Sequence, residues 1–133
     1  MAVEVALLAP VLVAFVLIVV AAGRVQTTAG VIDAAARAGA RAASLARDQE
    51  GARVAAAEAV AAMLDERQVR CTVDTDRLLT YGTISTPTGE VGTVTARLSC
   101  DVALGDLMYV GSVPGKTTVT GTFTSVIDRY RGN

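Results

Sequence analysis

The apolar and polar positions of this chain fall into three successive patterns, and each predicts a different kind of element. From Val5 to Ala22 the sequence is apolar with no charged residue, and only Pro10 interrupts a helical ladder. At 1.5 Å per residue such a run is about as long as a helix that crosses a bilayer. A helix that is apolar all round cannot be wrapped by the small remainder of the chain, so the run must contact something apolar outside it. From Val31 to Arg67 the chain is Ala-rich with interspersed charges, and Ala, Leu, Glu and Arg favour helix. Asp33 and Arg37 form an acid-before-base pair at helical spacing. Gly39 and Gly51 weaken this helix without stopping it, so one rod from about residue 4 to 67 is expected, on the order of 90 Å long.

Every third or fourth position through Val31, Ala35, Ala38, Ala42, Leu45, Gln49, Ala52, Ala56, Ala59 and Met63 makes a stripe of mostly small residues. Small side chains let another backbone approach closely while burying little area each. The stripe could pack on the chain's own sheet, on another subunit, or on both along different portions.

From Val69 the period becomes two. Val69, Cys71 and Val73 share one face of an expected first strand. Val94, Ala96, Leu98, Cys100, Val102 and Leu104 share a face of a second, and Val119, Gly121, Phe123 and Ile127 a face of a third. Leu78 to Gly92, rich in Thr and Gly, reads as a long loop with room for a short extra hairpin, and Pro114-Gly115 as a turn before Lys116 opens the last strand. The expected fold is α+β: a long N-terminal helix packed on a small antiparallel sheet of about three strands. Residues 1–23 form the transmembrane or filament-core helix, 24–67 its Ala-rich continuation, and 68–133 the sheet domain.

Composition narrows the chemistry. Aromatic residues make up 4% of the 133 residues and much of the 52% hydrophobic share is Ala, so the core is thin. There is no His, which removes the commonest general base and metal ligand. The net charge is −1 and no basic block suggests nucleic acid. Cys71 and Cys100 are too few to close a zinc site, which leaves a disulfide or two free buried thiols. A bridge is favoured, because a thin-cored domain outside the cytosol gains most from one.

Gly111–Thr117 (GSVPGKT) resembles a phosphate loop but is one residue short between its glycines and leads into a strand. Asp74 and Asp76 on one strand face fall far short of a calcium site. No catalytic, cofactor or metal constellation is found, and no enzyme activity is expected.

The string Ala2-Val-Glu-Val-Ala-Leu-Leu-Ala-Pro10 carries more information. Heading an apolar helix, followed by an Ala-rich helix and a small cysteine-bearing sheet, it resembles the TadE-like pilins. These are minor pilins of the Tad (type IVb) pilus system, particularly those of high-GC Gram-positive bacteria. The resemblance implies a structural subunit that packs its N-terminal helix in a filament core with other pilin subunits. It also implies a membrane stage, a prepilin peptidase that removes a short basic leader ending in Gly, and an assembly platform. Glu4, Met1 and Pro10 would be its assembly residues, although the family usually has the Glu fifth and here it is fourth.

Orientation depends on that leader. Arg24, Arg37 and Arg41 follow the span and by themselves would place the sheet in the cytosol, whereas a removed basic leader would place it outside. The expected location is a single-pass membrane protein with an external sheet, then a surface filament. The alternatives are a stand-alone membrane-anchored binding domain and a small secreted domain cleaved after Val20-Ala21-Ala22.

Overall fold

The computed structural model describes residues 2–103, 105 and 114–127, with side chains from Ala6 onward. Helix α1 spans Ala2–Leu45 and α2 spans Gln49–Glu66. Strands β1 (Leu79–Thr86), β2 (Gly89–Ala103) and β3 (Lys116–Val126) form one antiparallel sheet in the order β1-β2-β3. The fold is therefore α+β, a helical hairpin layered on a three-stranded meander.

The expected rod to residue 67 is broken. Asp48 leaves helical geometry (φ −137°, ψ 166°), and its Oδ1 accepts the backbone N–H of Gly51 at 2.7 Å. That N-cap satisfies one of the orphan donors at the start of α2 and fixes the reversal. The reversal lets two small-residue faces close on each other. Ile32, Ala35, Ala36, Gly39, Ala40 and Ala43 are buried on α1, as are Ala52, Ala56, Val60 and Leu64 on α2. A Cβ placed on Gly39 would lie 2.8 Å from Val60 Cγ2, so the helices cross where α1 has no side chain.

Helix α2 ends in a Schellman arrangement. Gln68 N–H donates to Asp65 O (3.0 Å) and Val69 N–H to Leu64 O (2.9 Å), with Gln68 left-handed at φ 54°. Beyond it, Val69–Val73 is irregular chain rather than the expected first strand. Its alternation is real, since Val69, Cys71 and Val73 all pack against the core, but it carries no ladder. The first strand is instead β1, inside the segment read as a long loop with room for a short hairpin, and a turn at Pro87-Thr88 joins it to β2. Lys116 opens β3 as expected, while Leu104 lies outside the described residues.

On β2 the residues Val94, Ala96, Leu98 and Cys100 face the helices and are buried, together with Leu78 just before β1. The largest fully buried side chains are Ile32, Leu78, Leu98, Val60, Val94 and Cys100. Each contributes roughly 1.5–3 kcal/mol by leaving water, so the core is small for the chain's length. Cys71 and Cys100 form a disulfide that ties the irregular segment to β2.

Candidate assembly surface

The N-terminal part of α1 stands apart from the rest. The eleven large apolar side chains from Leu7 to Val20 are each 47–69% exposed, and among the described residues no other element covers them. Pro10 lies inside α1 without ending it. From Ala2 to Val20 the helix rises about 28 Å, close to the hydrocarbon thickness of a bilayer. Leaving those side chains in water would cost on the order of 20 kcal/mol. The rod is thus long and apolar enough to cross a membrane.

Among the described residues, half-buried positions on α1 first appear at Ala21. At this boundary the hydroxyls of Thr27 and Thr28 donate back to the carbonyls of Gly23 and Arg24, each at 3.0 Å. Polar side chains at the foot of the domain are thereby satisfied within the helix itself.

The direction of the domain follows from two contacts. Gly121 of β3 lies against the backbone of Ile32, and the Arg37 guanidinium sits over the Phe123 ring at 5.1 Å. Five helical residues rise about 7.5 Å, close to the ~6.6 Å of two strand residues, so α1 and β3 run the same way. The start of β3 at Lys116 and the disulfide beside it therefore point towards the apolar rod. The β1–β2 turn at Pro87-Thr88 points away.

The face of the sheet opposite the helices is a rank of hydroxyls. Thr95 and Thr124 are bonded at 2.8 Å, Ser99 and Thr120 at 3.2 Å, and Thr118 donates to Asp101 at 2.6 Å. It is a solvated face. Asp74 and Asp76 lie in a turn rather than on a strand. Asp74 accepts the Asp76 N–H at 3.1 Å and pairs with Arg77 at 3.7 Å, while Asp76 bonds Arg53 of α2. Arg53 also faces Tyr81, whose phenol is raised above its ordinary value by burial against the opposing pull of that guanidinium. Among the described residues no cluster of His, Cys, Asp or Glu could hold a metal.

Of the small residues expected to mediate packing, Ala35, Ala52 and Ala56 are buried in the helical hairpin, and Ala38, Ala42 and Ala59 are half-buried at its margins. Of these, Ala56 lies against Gly39 of α1, so at that position α2 packs on α1 within one chain. The side chains of Met1 to Val5, Glu4 among them, lie outside the described residues, as do Gly111 to Val113 of the phosphate-loop-like string. Sequence reasoning missed Gly39 and Gly121 as the points of closest approach, since a lone Gly in a helix or strand gives no sign of what it faces.

Residues 1–41 match the family described as TadE-like protein. Over this segment, about a third of the chain, the sequence is similar to that family. The matched region contains the whole exposed rod and the part of α1 that crosses β3. The remainder, α2 and the sheet, lies outside the TadE-like match, and no curated protein and no solved structure matches the chain.

Proposed function

We propose that this chain is a non-enzymatic pilin-like subunit of a Tad (type IVb) pilus. It would be inserted in the membrane through the N-terminal part of α1, then packed through the same helix into a surface filament. The observation that carries the reading is the exposed apolar rod within the segment similar to the TadE-like family, continuous in one helix with a domain whose opposite sheet face is polar. One helix can serve both states because each presents an apolar surrounding. The disulfide fits a domain held outside the cytosol. Its partners in this reading are other pilin subunits, the membrane, a prepilin peptidase and the assembly platform.

A bilayer alone would also cover the rod, which is the anchored-domain alternative. Shearing surface filaments from cells that produce the pilus, and quantifying the chain in sheared and membrane fractions, separates the two. The chain is expected in both fractions. Confinement to the membrane fraction in piliated cells would leave only the anchored domain.

A further inference from the structure

We draw no further inference here: the strongest candidate, the open hollow beside β2 at Ser99 and Asp101, walled by the C-terminal end of α2 and by Val69–Val73, carries nothing because nothing among the described residues shows what covers it.

Discussion

Gly121 of β3 meets the backbone of Ile32 in α1 so closely that a Cβ at position 121 would lie 2.8 Å from the Ile32 carbonyl oxygen and 3.0 Å from Asp33 N. The obstacle is main chain, which cannot rotate away as a side chain can. Gly121→Ala should therefore lift α1 from the sheet and destabilise the full-length protein by about 1–3 kcal/mol. Gly30→Ala, with nothing within 4 Å of its Cβ, is the contrasting variant. It should be neutral or raise stability by up to about 1 kcal/mol through helix propensity. Thermal melts of both in detergent decide this, and equal melting temperatures would mean that α1 does not rest on Gly121.

The crossing of α1 and α2 allows a sharper test, because there the obstacle is a side chain. Gly39→Ala gains helix propensity but pushes its methyl to 2.8 Å from Val60 Cγ2, and Val60 is fully buried. The clash should outweigh the gain. In a Val60→Ala background the same change should become neutral or stabilising, giving a coupling of about 0.5–3 kcal/mol in a double-mutant cycle. Ala56→Leu, at a fully buried position, should likewise cost more than Ala42→Leu at a half-buried one. Additive effects at Gly39 and Val60 would place the crossing elsewhere.

How legible these contacts were depends on whether a residue's partner is implied by its own pattern. The alternating faces of β2 and β3 announce a burial period and the structure keeps it, whereas the Ala-rich stripe is kept only in part, since α1 buries Ile32, Ala36, Ala40 and Ala43 beside it and leaves Leu45 exposed. Strand β1 announces no such period, because nearly all of it is exposed on both faces and its ladder is owed to β2. Conversely, Val69, Cys71 and Val73 alternate because they face the core in extended chain, which does not require a ladder. The turn after Leu45 was hidden by strong helix formers on both sides and signalled by Asp48 alone, with Glu50 in the first turn behind it. The importance of Glu4 rests on the resemblance of the surrounding string, not on periodicity.

That turn gives a prediction about helix ends. Asp48→Ala removes the acceptor for Gly51 N–H and should cost about 1 kcal/mol, with Asp48→Asn largely restoring it. At the other end of α2, Gln68→Gly should stabilise by up to about 1 kcal/mol, because glycine adopts the left-handed C′ conformation without a Cβ penalty. Denaturant titrations of the three variants should show shifts of these signs. An unaffected Asp48→Ala would mean that α2 is nucleated entirely by its packing.

The disulfide carries much of the stability that the small core lacks. It closes a loop across a sequence separation of 29 residues, for which chain entropy gives about 3–4 kcal/mol. Non-reducing peptide mapping of material from cells should recover the Cys71 and Cys100 peptides joined. Cys71→Ser/Cys100→Ser should lower the melting temperature and make the segment between Gln68 and Leu78 the first site of proteolysis. Two fully alkylatable thiols in native protein would contradict both the bridge and the external placement of the sheet.

Glu4 separates a filament subunit from a simple anchor. It precedes a purely apolar run, where a buried carboxylate without a partner costs several kcal/mol and is driven towards protonation. An anchor avoids that cost by leaving Glu4 among hydrated headgroups, and then Glu4→Ala should change little. A filament core has no headgroups, so in this reading the carboxylate needs a positive group of an adjacent subunit. Glu4→Ala should thus leave membrane insertion and the folded sheet intact while strongly reducing the subunit in sheared filaments relative to membranes. Glu4→Asp should restore incorporation only in part, because its shorter side chain falls back from the neighbour. Wild-type incorporation of Glu4→Ala would show that no such pairing governs assembly, even if the chain were found in filaments.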